Sequence, residues 1–126
     1  KVKNRVQFLG VLPQAQLRSY YGAVDALVLA SSREGWANVL LESMACGTPV
    51  VASNVWGTPE VVAVPEAGVL MQERTPEALA AAVTRLLANY PDHARTRLYA
   101  EGFSWDDTTR GQLDLFGRIL RQRRCA

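Results

Sequence analysis

Apolar residues along this chain fall into two rhythms. Val6-Gln7-Phe8-Leu9-Gly10, Ala26-Leu27-Val28-Leu29-Ala30, Val50-Val51-Ala52 and Gly68-Val69-Leu70-Met71 are short apolar runs bounded by turn residues, and they predict strands. Elsewhere the spacing lengthens to the helical period, in Leu17, Tyr20 and Tyr21, in Leu40, Leu41, Met44 and Ala45, in Leu79, Val83, Leu86 and Leu87, and in Leu113, Phe116, Ile119 and Leu120. Each stripe predicts a helix with one buried face. The punctuation agrees: Pro13 opens the first helix and Gly22 ends it, while Asn38 caps the second and Gly47-Thr48-Pro49 stops it. Thr58-Pro59-Glu60 and Thr75-Pro76-Glu77 cap and open two more, Tyr90-Pro91 ends the second of these, and Ser104 to Asp107 cap the last. A weaker helix over Asp92–Glu101 carries the only histidine, His93, expected on the solvated surface.

Strand and helix thus alternate four times, which implies an α/β fold with a parallel sheet and helices on both faces. The Ala26 run is apolar throughout, as in a strand covered on both sides. It delivers Ser31, Ser32 and Glu34 to the carboxyl edge of the sheet, where open parallel sheets bind ligands.

With 126 residues, 48% of them apolar, the chain supports one core and one domain, residues 1–126. A formal charge of +2 gives no reason to expect nucleic acid. Cys46 and Cys125 form neither a disulfide framework nor a metal-ligand spacing, so no metal and no cofactor are expected, and a reducing, cytoplasmic compartment fits. No apolar run approaches the roughly 20 residues of a membrane span, and no signal peptide opens the chain. Arg118, Arg121, Arg123 and Arg124 near the end read either as a solvated helix terminus or as a peripheral contact with anionic lipid at the inner face of a membrane.

The most informative stretch runs from Arg33 to Ser53. Glu34 lies in the loop before the second helix, and Glu42 stands eight residues later, four after the expected cap Asn38. Side chains on a helix lean toward its amino end, so the two carboxylates flank a terminus whose N–H groups and dipole suit a phosphate. Carboxylates also accept hydrogen bonds from the paired hydroxyls of a sugar. That is an arrangement for a sugar nucleotide. The plainer account makes Glu34 a solvated loop acid and Glu42 a polar-face residue of an amphipathic helix. Glu60 likewise serves either a ligand or the dipole of its own helix.

The stretch from Glu34 to Ser53 resembles the signature of retaining, nucleotide-sugar-dependent glycosyltransferases of the GT-B class, more narrowly the group 1 or family 4 type. Ser31, Glu34, Gly35, Trp36, Asn38, Glu42, Ala45, Cys46, Gly47, Pro49, Val50 and Val51 fall on that pattern, with Ala30 in place of a proline. Gly57 and Glu60 continue it, although Trp56 stands where a second glycine is common, and Phe103-Ser104-Trp105 match an element before the closing helix. The resemblance implies a Rossmann-like carboxy-terminal donor domain, incomplete at its amino-terminal side: four of six strands, without the Gly-Arg and Lys elements that neutralise the leaving diphosphate. It implies that Glu34 orients donor-sugar hydroxyls at the catalytic centre without transferring a proton, and that Glu42 holds the ribose. Backbone from Gly35 through Trp36, Ala37, Asn38, Val39 and Leu40 would line the diphosphate, with Ser31 nearby. Val11 and Leu12 would frame the nucleobase, unless they are simply a tight turn. The implied partners are a nucleotide-sugar donor and an amino-terminal acceptor domain of the same protein.

A physical consequence follows for the first predicted strand. Without the native neighbours of the Val6 strand, the chain is expected either to fold poorly alone or to dock that strand directly beside the Ala26 strand. The alternative function is a non-catalytic nucleotide-binding half-domain. A receiver-like module would call for an acidic cluster after the first strand, and Gly10-Val11-Leu12 offers none.

Overall fold

The computed structural model describes residues 2–124, leaving aside the side chains of Arg123 and Arg124; Cys125 lies outside the described residues. After a 3-10 turn at Lys3–Arg5 come α1 (Gln14–Tyr21), β1 (Leu27–Leu29), α2 (Asn38–Ala45), β2 (Val50–Ser53) and α3 (Thr58–Val61). Then follow β3 (Gly68–Met71), α4 (Pro76–Ala88), α5 (His93–Glu101) and α6 (Trp105–Arg124). The strands form one parallel sheet in the order β1-β2-β3, with Val51 opposite both Val28 and Val69.

Alternation along β2 divides the core. Val50 and Ala52 face one side, where Leu40 and Met44 of α2, Val61 of α3 and Ala100 of α5 close over them. Val51 faces the other, against Ala82 and Leu86 of α4 and Met71 of β3. Helices therefore cover both faces, as expected. All of β2 is buried, and burial of a side chain such as Leu40 or Met44 stabilises the fold by about 1.5–3 kcal/mol.

Local chemistry explains where the elements stop. Helix α2 ends in a Schellman motif: Gly47 N–H donates to the Met44 carbonyl (2.8 Å) and Thr48 N–H to the Ser43 carbonyl (3.1 Å), with Gly47 at φ +85°. Thr48 Oγ1 then donates to the Tyr21 carbonyl at 2.6 Å, tying the end of α2 to the end of α1. Thr75 accepts from Ala78 N–H at 3.1 Å and Ser104 from Asp106 N–H at 3.0 Å, so these expected caps are made. Asp92 caps α5 through Ala94 and Arg95, which makes that helix better defined than its pattern promised.

Three expectations are corrected. Val6–Gly10 is not a strand: it pairs with nothing, and Phe8 is 94% exposed. A strand is a property of two segments, and β1 pairs only with β2, so no ladder repays the entropy of ordering residues 6–10. For the same reason β1 is an edge rather than a strand covered on both faces, since α4 packs on β2 and β3 and leaves Val28 42% exposed. The stripe of α6 is not buried, with Leu113, Phe116 and Leu120 all more than half exposed. His93 is exposed, as expected, and its Nδ1 also donates to the Gly47 carbonyl at 2.8 Å, because α5 packs along α2. Among the described residues no helix is long and apolar enough to cross a membrane.

Candidate functional site at the carboxyl edge of the sheet

The chain leaves β1 at Leu29 and reaches α2 through residues 30–37. The Ala30 carbonyl accepts from Arg74 Nε at 3.2 Å, Ser31 and Glu34 are half-buried, and Gly35 and Trp36 are exposed. Helix α2 starts at Asn38 itself, with Ala37 as its cap residue and no side-chain cap bond, so Asn38 does not cap it as expected. The reason is that the turn closes on its own backbone. Asn38 N–H donates to the Trp36 carbonyl and Leu40 N–H to the Ala37 carbonyl, each at 3.0 Å. Two of the amides expected to face a diphosphate are thereby occupied. Ala37 and Leu40 bury their side chains in the core, so only their backbone is available to a ligand.

The neighbouring loop, after β2, touches this one. A Cβ on Gly57 would collide with the Gly35 carbonyl oxygen and lie 3.9 Å from the Trp36 ring, so only glycine permits the approach. Thr58 N–H donates to the Val55 carbonyl at 3.0 Å, Trp56 has φ +47°, and Gly57 has φ −77° and ψ −7°. Trp56 and Gly57 are therefore the central pair of a hydrogen-bonded turn whose first central position, at positive φ, favours glycine. Trp56 occupies it at a cost of about 1–2 kcal/mol. Gly57, not Thr58, is the cap residue of α3, and the buried hydroxyls of Ser53 and Thr58 at the two ends of this loop have no hydrogen-bond partner.

Glu42 projects from the second turn of α2 toward α1, where Tyr21 Oη donates to its Oε2 at 3.4 Å. Burial first, and then the Glu42 charge, raise the Tyr21 pKa above the ordinary tyrosine value. A groove of about 520 Å³ runs between these helices, lined by Glu42 together with Gln14, Leu17, Arg18, Tyr21 and Cys46. Beside it on the solvent side of α2, Trp36, Asn38 and Leu41 line a second groove of about 570 Å³ with Phe103 and Trp105. Trp36 meets Phe103 edge to face at 6.0 Å between centroids.

The predicted residues thus divide. Trp36 and Asn38 share one groove, Glu42 lines the other, and Glu34 lines neither, standing on the loop that leads into α2. Val11, fully exposed, and half-buried Leu12 line neither groove. Neither Glu34 nor Glu42 takes part in the two ion pairs among the described residues, Arg97–Glu101 and Arg110–Asp107, although Arg18 and Arg97 line the same groove as Glu42. Among the described residues no group of three or more His, Cys, Asp or Glu is placed to hold a metal. Tyr21, expected only to pack, is the partner of Glu42, and Gln14 and Arg18 join it in the groove. Their spacing at 14, 17, 18 and 21 is one helical face and was available as a signal.

Residues 1–103 match the family described as glycosyl transferases group 1. The chain belongs to that family. Among similar members, a D-inositol 3-phosphate glycosyltransferase of Frankia alni is 39% identical over 125 residues, covering 94% of this chain and 30% of that protein. One of Salinispora tropica is 36% identical over 130 residues, covering 98% and 26%. Sucrose-phosphate synthase from Thermosynechococcus elongatus superposes with a TM-score of 0.75 at 32% identity, covering 96% of this chain and 32% of that one. This likeness bears out the GT-B type of Rossmann-like fold expected. The chain spans between a quarter and a third of the length of these relatives. The family match ends at Phe103, just before α6 begins.

Proposed function

We propose that this chain supplies the donor site of a glycosyltransferase that moves a sugar from a nucleoside diphosphate to an acceptor with retention of anomeric configuration. Membership of the group 1 family carries this reading, together with two carboxylates, Glu34 on the loop into α2 and Glu42 on its second turn, that make no ion pair among the described residues. Glu34 orients hydroxyls of the donor sugar and does not transfer a proton. Glu42, positioned by Tyr21, holds the ribose hydroxyls. The backbone of Gly35 to Leu40 lies along the diphosphate, with Ser31 beside it, and Val11 and Leu12 frame the base.

Transfer on this reading uses no metal or other cofactor. Amides at the helix terminus share the charge of the departing diphosphate with a basic pair from elsewhere in the protein. The acceptor is held by an amino-terminal domain, so this chain alone binds donor without turnover. The place of action is the cytoplasm, with the terminal arginines making a peripheral contact at the inner membrane face.

Titration calorimetry with uridine and guanosine diphosphates in the presence of EDTA tests the site. One of the two is expected to bind, and Glu42→Ala to weaken it about 10- to 100-fold, the worth of hydrogen bonds to a charged group. Unchanged affinity in Glu42→Ala would remove Glu42 from the site, and loss of binding on adding EDTA would refute the metal-free reading.

A further inference from the structure

The sequence contains three tryptophans, and one of them sits where local geometry argues against it. Trp36 has an aromatic partner in Phe103, and Trp105 opens α6, but Trp56 holds a left-handed backbone and leaves 71% of its surface to solvent. No ring among the described residues packs against it. Its conformation is fixed by the surroundings: Asn54 N–H donates to the Met71 carbonyl (3.0 Å), Asn54 Nδ2 donates to Gln72 (2.7 Å), and the Thr58 amide closes the turn. A bulky residue at positive φ, held by its neighbours and with most of its ring in solvent, is the kind of outlier that accumulates where a ligand binds.

Its position narrows the ligand. Gly57 lies against the Gly35 carbonyl, so Trp56 is one residue from that contact on one side and Glu34 one residue from it on the other. Two such α-carbons lie no more than about 12 Å apart, within the span that a single pyranose ring bridges with side chains on either hand. A carboxylate accepts from the hydroxyls of such a ring, and an indole offers an apolar platform for its C–H face.

We propose that Trp56 is a specificity-determining residue of the donor site, its indole stacking on the hexose carried by the nucleotide while Glu34 accepts from that sugar's hydroxyls. The proposal rests on the donor-site reading above and adds a contact to the sugar, not to the nucleotide. Apolar surface exposed in the free protein is covered only when the sugar is present. The tryptophan therefore acts on the difference in affinity between a sugar nucleotide and its bare diphosphate.

The test compares UDP with UDP-glucose, and GDP with GDP-mannose, by calorimetry on the parent chain, Trp56→Asn and Trp56→Phe. Asparagine tolerates positive φ, so Trp56→Asn keeps the turn while removing the ring, and its denaturation midpoint is expected to equal or exceed the parent's. The expected result is a drop of roughly three- to tenfold in the sugar-nucleotide to diphosphate affinity ratio in Trp56→Asn, most of it restored in Trp56→Phe, with diphosphate affinity as the reference. An unchanged ratio in Trp56→Asn, or an equal loss for the bare diphosphate, overturns the role of Trp56 and leaves the donor site standing. Failure of the parent to bind any of the four ligands overturns both together.

Discussion

Helices α2 and α6 are both amphipathic, and only one of them is part of the core. Helix α2 has 8 residues, and it buries Leu40, Ser43 and Met44 against β2, α3 and α5. Helix α6 has 20 residues, a made cap at Ser104 and a longer apolar stripe, yet Leu113, Phe116 and Ile119 stay exposed. The difference lies in what surrounds them. An apolar stripe specifies a helix, but burial needs a second surface, and none of the main helix and strand contacts among the described residues involves α6. The packed part of the described chain ends near Phe103, where the family match also ends.

The largest expected effect follows directly. Leu40→Ala or Met44→Ala should destabilise the chain by about 2–5 kcal/mol, because each leaves a cavity in a packed core. Phe116→Ala removes a larger side chain and should change stability by no more than about 0.5 kcal/mol. Urea denaturation of the variants measures both. A loss of about 3 kcal/mol in Phe116→Ala would mean that α6 docks onto the domain in solution, and the contrast would collapse.

Gly47→Ala is next. At φ +85° a Cβ is strained and would also stand 3.2 Å from the His93 carbonyl oxygen, tighter than ordinary contact. The expected cost is about 1–2 kcal/mol, since the Schellman turn holding α2 against α5 must distort. The same measurement with Gly47→Asn should show a smaller loss, because asparagine tolerates the left-handed region better. Equal losses for both variants would place the effect in the His93 contact rather than in the backbone.

Much of this was legible from residue order. β2 is a continuous apolar run and is buried throughout, Gly47 marks the end of α2, and Thr75 and Ser104 announce their helices by the side chains that cap them. These features are local or follow from period alone. The failures are matters of pairing. Val6–Gly10 has strand composition, but composition does not supply the neighbouring strand. The Tyr21 to Glu42 hydrogen bond joins residues 21 apart and depends on how α1 lies against α2. Spacing put Glu34 and Glu42 at one helix terminus, whereas only coordinates show that Glu42 turns into the α1 groove and Trp36 into the α6 groove. The strain at Trp56 was invisible as well, although a tryptophan in place of the usual glycine hinted at it.

Alkaline pH sharpens the contrast between the two helices from another side. Burial raises the phenols of Tyr21 and Tyr90 above the ordinary tyrosine value, aided by Glu42 in the first case and Asp25 in the second. Such a group binds its proton more tightly when folded, so its contribution is intact below about pH 10, the unfolded value, and is lost as pH rises through the folded one. Stability should therefore fall above pH 10, and less so in Tyr21→Phe. A parallel decline in parent and variant between pH 9 and 11 would exclude Tyr21 as a source. Helix α6 carries no tyrosine and should contribute nothing to the difference.

The smallest effect on the core should come from inside α6. Gly111 has open space around its missing Cβ, so Gly111→Ala meets no obstacle, and alanine favours a helix interior over glycine by about 0.8–1 kcal/mol. In a helix coupled to the domain that preference would raise the global denaturation midpoint. In α6 as it stands, the gain is confined to the helix itself. Circular dichroism should show more helix in Gly111→Ala, amides of residues 105–115 should exchange more slowly, and the urea midpoint followed at the core tyrosines should not move. A midpoint that rises with the helicity would show that the helix and the domain unfold together, and the exposed stripe of α6 would then have to be covered by something in solution.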